Sequence, residues 1–207
     1  MELITINDNP YGQNVYIYYD NVSKEGVLID ASDSYDTIRR TLEVNGINIK
    51  AILLTHGHFD HVFCVDKLRK LTGAPVYAHG AEAELLANSE YNRAVLRGLD
   101  ISVVADKYLA DGEVFTFASV ELQVIHTPGH TAGGVCYYDS ERAVIFTGDT
   151  LFRGTIGRTD MPTGDTDTLI TSIREKLFIL PDDVTVYPGH ENSTTISHEK
   201  KYNNRLM

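Results

Sequence analysis

Four side chains that commonly bind divalent metals fall within six residues of this chain: His56, His58, Asp60 and His61, in the run Thr55-His56-Gly57-His58-Phe59-Asp60-His61. A structural role for these residue types does not call for that density. Three further donors stand apart in sequence but in the same kind of setting. They are His130 in Thr127-Pro128-Gly129-His130-Thr131, Asp149 in Thr147-Gly148-Asp149-Thr150, and His190 in Tyr187-Pro188-Gly189-His190-Glu191. Each follows an apolar run and sits close to a glycine. Neutral imidazole and carboxylate suit zinc, iron or manganese, and the lack of cysteine in the set argues against a closed structural zinc site. His56 and His58 are two apart and project to one side of an extended segment. Asp60 and His61 follow as the chain turns into a helix and can face a second position. Six or seven such donors are too many for one tetrahedral zinc. They suit two metals about 3.5–4 Å apart, with Asp149 as the natural bridging carboxylate. Such a centre brings the pKa of bound water towards ~7 and polarises a carbonyl oxygen, so hydrolysis of an acyl compound is a natural reaction. No Gly-x-Ser-x-Gly elbow is present, which disfavours covalent catalysis by a serine.

The elements that must position these residues alternate between strand clusters and helices. Residues 15–19 and 26–30 are rich in β-branched and aromatic side chains and predict strands. Residues 35–44 have helical spacing through Ile38 and Leu42 and stop near Asn45-Gly46. Residues 51–54 form a short continuous apolar run, as in a strand buried on both faces. Helices are expected at 65–71, closed by Gly73, and over 81–96. A meander of strands follows over 107–151. Residues 166–180 form an amphipathic helix with Leu169, Ile173, Leu177 and Leu180 on one face, and 184–187 make a last strand. This order reads as two half-structures, each with strands first and helices after. Two mixed sheets packed face to face, with helices outside, give an α/β fold of four layers, an αββα sandwich, whose donor-bearing loops converge at one end.

The 207 residues carry no linker or low-complexity tract, so one domain spanning 1–207 is expected. With 18 basic against 29 acidic residues and a net charge of −11, a nucleic-acid partner is not expected. The N-terminus has neither a basic start nor a long apolar stretch, so neither a signal peptide nor a membrane association is expected, and the location expected is cytoplasmic. Cys64 and Cys136 read as two reduced thiols. The partner expected is a small molecule, with oligomeric state left open. His79, His126 and His198 read as ordinary structural histidines, Tyr137, Tyr138 and Phe152 as packing residues, and Glu82, Glu84 and Glu90 as a solvated helix face. Asp30, closing the run at Ile29, reads either as a turn residue or as a group that orients a ligand histidine from behind.

Taken together, Thr55–His61, His130, Asp149 and His190 resemble the metal signature of the metallo-β-lactamase-fold superfamily along essentially the whole chain. The resemblance implies His56, His58 and His130 on a first metal, Asp60, His61 and His190 on a second, and Asp149 between them. The two divalent ions would be zinc foremost, with iron or manganese as alternatives. Within the superfamily, the run 148–160 and the ending Tyr187-Pro188-Gly189-His190-Glu191-Asn192 resemble the glyoxalase II (hydroxyacylglutathione hydrolase) branch, in its short bacterial form without the C-terminal helical domain. That implies cleavage of an S-acylglutathione thioester by a metal-bridging hydroxide, with Asp60 and Asp149 as the catalytic carboxylates. Longer members place a lysine or arginine and, two residues on, a tyrosine against glutathione. Here Arg158 fits the cation and Asp160 replaces the tyrosine. A second tyrosine position holds Asn192, so Arg158 and Asn192 are the candidate substrate contacts. The run 157–160 also resembles persulfide dioxygenases with a single iron, which is the alternative reading beside another hydrolase of the same fold.

Overall fold

The computed structural model describes residues 1–207. Alternating β-branched and aromatic residues open the chain with β1 (Glu2–Ile6), β2 (Val15–Tyr19) and β3 (Glu25–Ile29), paired antiparallel. From β3 onward the pairing becomes parallel, which requires crossovers. Helix α1 (Tyr35–Asn45) leads to β4 (Asn48–Leu53), and α2 (Phe59–Val62) with α3 (Val65–Thr72) leads to β5 (Val76–His79). The short α4 (Ala83–Ala87) precedes β6 (Lys107–Leu109). The first sheet therefore runs β1-β2-β3-β4-β5-β6. Both α1 and α3 stop where the sequence indicates, on Gly46 and Gly73 in the left-handed region.

The second half begins with β7 (Val114–Phe117), β8 (Val120–His126), β9 (Val135–Asp139) and β10 (Val144–Gly148), each antiparallel to its predecessor. A small hairpin, β11 (Leu151–Phe152) and β12 (Thr155–Ile156), and helix α5 (Thr166–Ser172) carry the chain across to β13 (Thr185–Pro188), which lies parallel to β10. Then β14 (Thr194–Thr195) and α6 (Ile196–Tyr202) follow. The second sheet runs β14-β13-β10-β9-β8-β7. No helix is long and apolar enough to cross a membrane.

The two-residue period of a strand sends alternate side chains into different cores. Ile17, Leu28 and Ile52 face Ile38 and Leu42 of α1 and Val65 and Leu68 of α3. Their neighbours Tyr16, Tyr18, Val27, Ile29 and Leu53 face Leu122, Val124, Val135, Tyr137 and Phe146 of the second sheet. On the far side, Cys136, Ile145 and Val186 meet Leu169, Ile173, Leu177 and Ile196. Three cores between four layers make the expected αββα sandwich. Both cysteines are free and buried.

Three expectations need correction. The helix expected over 81–96 is broken into a 3₁₀ turn (Gly80–Glu82), α4, and a second 3₁₀ turn (Ala94–Arg97). The cause is side-chain competition for the backbone. Asn88 Oδ1 accepts from the Glu90 and Tyr91 amides, and Asn92 Oδ1 accepts from Ala94. The meander expected over 107–151 loses its first strand, because β6 pairs with β5 in the other sheet. The helix over 166–180 changes pitch at a π-helical turn, Ile173–Leu177, while keeping Leu169, Ile173 and Leu177 buried.

Tyrosines read from sequence as strand formers also fasten one sheet to the other. Tyr16 Oη donates to Pro188 O (2.6 Å), Tyr18 Oη to Asp139 Oδ2 (2.8 Å) and Tyr137 Oη to Leu54 O (2.8 Å). Burial raises all three phenol pKa values, so they remain donors across ordinary pH. The Tyr137 bond holds the carbonyl immediately before the Thr55–His61 loop. Replacing Tyr137 by Phe is expected to lower stability by about 1–2 kcal/mol. Urea denaturation followed by far-UV circular dichroism would show a lower midpoint with an unchanged native spectrum.

Candidate metal centre

The candidate donors lie in the segments that follow the C-terminal ends of four strands, with Asp60 and His61 on helix α2. β4 runs into His56, β8 into His130, β10 into Asp149 and β13 into His190, while β3 ends beside Asp30. β3 and β4 are parallel, as are β10 and β13, and β8 is two antiparallel steps from β10. Within each sheet these strands share a direction, and their ends meet at one edge of the sandwich. The glycines beside the donors make room there. A Cβ on Gly189 would strike Asp149 Oδ1 and come within 2.6 Å of His61 Cε1. At Gly129, φ is +130° and a Cβ would collide with the backbone of Leu169.

The donors form overlapping groups. His130 Nε2 is 2.9 Å from His58 Nδ1, 3.2 Å from His56 Nε2 and 3.5 Å from Asp149 Oδ2. Asp149 Oδ1 lies 3.3 Å from His61 Nε2, and Oδ2 is 3.8 Å from His190 Nε2. Asp60 Oδ2 is 3.3 Å from His190 Nε2 and 4.0 Å from His61 Nε2. Tetrahedral coordination by nitrogen at ~2.0–2.1 Å places ligand atoms about 3.3 Å apart. The observed spacings, from 2.9 to 4.0 Å, bracket that value. His61 Nε2 and Asp149 Oδ1 are buried with no hydrogen-bond partner, an arrangement that a shared cation would satisfy. The cluster is thus able to hold metal ions.

Protonation agrees with that chemistry. Burial, reinforced by neighbouring histidines, holds His56 well below the ordinary imidazole value and takes His58 down to about 3, and His130 is lowered as well. Burial opposes ionisation of Asp149, but His61 and His190 overcome it and keep that carboxyl well below its usual range. At His61 burial is again outweighed, here by Asp149, Asp30 and Asp60, which raise its pKa well above normal. The negative field that draws a proton to His61 would equally draw a metal cation.

Residues behind the donors fix their orientation. Asp30, 1% exposed, accepts from the Thr55 amide and hydroxyl and faces His61 Nδ1, each at 2.8 Å. This bond places the His61 proton on Nδ1 and leaves Nε2 directed at Asp149. Asp30 adopts φ +61°, so it serves the turn as well. His130 Nδ1 donates to Arg158 O at 2.7 Å. Glu82, read from sequence as part of a solvated face, is instead 1% exposed and accepts from Gly57 N (2.8 Å) and Gly133 N (2.7 Å). One carboxylate thereby clamps the loop of His56 and His58 to the loop of His130. Glu84 and Glu90 are exposed as expected.

The pattern of the Metallo-beta-lactamase superfamily matches residues 8–190. The chain belongs to the metallo-β-lactamase superfamily. It is 34% identical to the hydroxyacylglutathione hydrolase GloC of Haemophilus influenzae over 206 residues, 98% of this chain and 97% of that protein. The crystal structure of the B3 metallo-β-lactamase BLEG-1 superposes with a TM-score of 0.95 at 36% identity, covering 100% of both chains. The di-iron-bound form of TTHA1623 gives a TM-score of 0.86 at 35% identity over 99% of each chain.

In this metallo-β-lactamase-fold chain the cluster opens into a cleft of about 500 Å³. Asp60, Asp149, His58 and His190 lie at its base, and Tyr11, Phe59, Phe152 and Met161 form apolar walls. Arg158 lines the cleft, but its guanidinium is bound through Nε and a terminal nitrogen to both oxygens of Asp160, each at 2.7 Å. Asn192 lies exposed in the turn beyond His190, outside the cleft lining. His79 and His126 stack on each other at 4.0 Å, and His198 packs on Tyr202. Sequence reasoning missed Glu82, whose neighbour Gly80 was the only hint that no regular helix begins there. It also missed Arg93 and Arg97, two cleft residues far in sequence from any donor motif.

Two substitutions test the support. Asp30→Ala is expected to weaken metal binding about 10–100-fold, measured by competition with a chromophoric chelator, with the fold retained by circular dichroism. Glu82→Ala leaves two buried amides unpaired and is expected to lower stability by roughly 2–5 kcal/mol in urea titrations.

Proposed function

We propose that this superfamily member is a dinuclear metal-dependent thioesterase that cleaves S-acylglutathione, with S-D-lactoylglutathione as the representative substrate. One observation carries the reading: seven residues with nitrogen and oxygen donors converge in three overlapping groups beside an open cleft. The full-length similarity to a hydroxyacylglutathione hydrolase supports the choice of substrate. In this reading His56, His58 and His130 would hold one ion, Asp60, His61 and His190 the other, with Asp149 available to both. Zinc is the first choice, and the similarity to a di-iron-bound protein keeps iron open beside manganese.

Two bound divalent ions supply an activated water at neutral pH and a Lewis-acid contact for the carbonyl oxygen. Asp60, only partly buried at the cleft base, orients the attacking water while holding its place beside His190. Asp149 and Asp60 remain ionised and balance the charge of the site. Phe59 and Phe152 line its sides with apolar surface. The departing thiolate is a weak base, so no strong general acid is required, and none beyond the cluster lies at the cleft base.

A second reading has a specific basis, because the fit to a B3 metallo-β-lactamase is complete in length. Purified, metal-analysed protein is expected to cleave S-D-lactoylglutathione with two metals per chain and no oxygen uptake. Slow or absent hydrolysis of a chromogenic cephalosporin would accompany that result. Efficient cephalosporin hydrolysis would replace the thioesterase reading with the lactamase one. Oxygen consumption with glutathione persulfide and a single iron would replace it with a dioxygenase. Asp149→Ala is expected to abolish both metal loading and thioester cleavage, and full activity in that metal-free variant would refute the mechanism.

A further inference from the structure

The cleft of this strongly acidic chain gathers three arginines, and only one has an ion-pair partner at close range. Arg158 is neutralised by Asp160. Arg97 stands exposed at the rim. Arg93 is half-buried, and its Nε is enclosed without any hydrogen-bond partner. An enclosed guanidinium nitrogen without an acceptor is unfavourable unless something else supplies one.

The backbone at Arg93 carries a second unfavourable feature. Its φ is +72° and ψ is 9°, the left-handed region. A non-glycine residue there costs about 1–2 kcal/mol and persists only where the surroundings enforce it. They do so here. Asn92 is fully buried, its side chain donates to Ile101 O (2.7 Å), and its Oδ1 accepts from Ala94 N (3.0 Å). Its carbonyl accepts from Phe59 N (2.9 Å), the amide next to Asp60. Arg93 therefore directly follows the residue tied to the helix that carries Asp60 and His61, and it shares one cleft with Asp60, Asp149 and His190. A strained backbone beside the helix of Asp60 and His61, displaying a guanidinium with no salt-bridge partner and only the longer-range field of Asp160, is the arrangement of a preset ligand contact.

We propose that Arg93 anchors a substrate carboxylate, so that the cleft selects thioesters of a carboxylate-bearing thiol. This rests on the thioesterase reading above. Glutathione thioesters carry two carboxylates on a flexible peptide chain, and Arg93 lines the same cleft as Asp60 and Asp149. The planar guanidinium presents paired donors that match a carboxylate. Arg158, the cation indicated by sequence resemblance, is left with a supporting role because Asp160 already occupies it.

Arg93→Gly is the informative variant, because glycine accepts the left-handed backbone while removing the guanidinium. It is expected to keep the Tm within a few degrees. Calorimetric binding of S-methylglutathione should weaken about tenfold or more, and the KM for S-D-lactoylglutathione should rise by a similar factor with kcat within about twofold. A lactoyl thioester of N-acetylcysteamine, which lacks a carboxylate, should be cleaved equally by both proteins. Unchanged binding and KM would overturn the proposal, as would an equal loss on both thioesters or failure of the unaltered protein to bind S-methylglutathione. If the unaltered protein cleaves neither thioester but binds S-methylglutathione through Arg93, the thioesterase reading falls and the anchoring role stands.

Discussion

Burying imidazoles and carboxylates together at the end of an apolar sandwich is unfavourable unless each group finds a partner, and the rest of the structure is arranged around that constraint. Three neutral imidazoles approach within 2.9 and 3.2 Å of one another. Two aspartates and two further histidines crowd the same volume. The protein meets part of the demand from behind, through Asp30 on His61 and the Arg158 carbonyl on His130. What it leaves unmet, at His61 Nε2 and Asp149 Oδ1, points inward to a shared cation position. Stability has been given up locally for a binding function.

The sandwich makes that concession bearable. Parallel pairing of β3 with β4 and of β10 with β13 sends the donor loops to one edge, while three apolar cores stabilise the body of the molecule away from the site. Phenol hydroxyls crossing the inter-sheet core tie the two halves in register. Small shifts of one sheet would spread the donors, since ligands come from both. The Glu82 clamp serves the same end by binding two donor loops with one carboxylate.

Much of the scaffold was legible because hydrophobic periodicity reports burial directly. The β-branched and aromatic run Val15-Tyr16-Ile17-Tyr18-Tyr19 announced a strand and the apolar run 51–54 one covered on both faces, and all of these residues are buried. The glycines after α1 and α3 marked their ends. Periodicity failed over 81–96, where Asn88 and Asn92 turn their side chains onto the backbone and break the helix that the spacing suggested. The same failure hid Glu82. A glutamate in a supposed helix reads as solvated, and only the approach of the 130s loop reveals that it is enclosed.

The sequence by itself determined the kind of metal site: a dense set of histidines and aspartates, without cysteine, suits zinc, iron or manganese because nitrogen and oxygen donors favour those ions. The order of its strands and helices also indicated the four layers. Tertiary structure decided what surrounds that centre. Arg158 looked like the available cation until folding placed it on Asp160, and Arg93 gave no sign until a buried asparagine fastened its loop beside Asp60. The Arg158–Asp160 pair is local, but which arginines share a cleft with Asp60 depends on how segments remote in the chain are brought together, and local patterns carry no record of that.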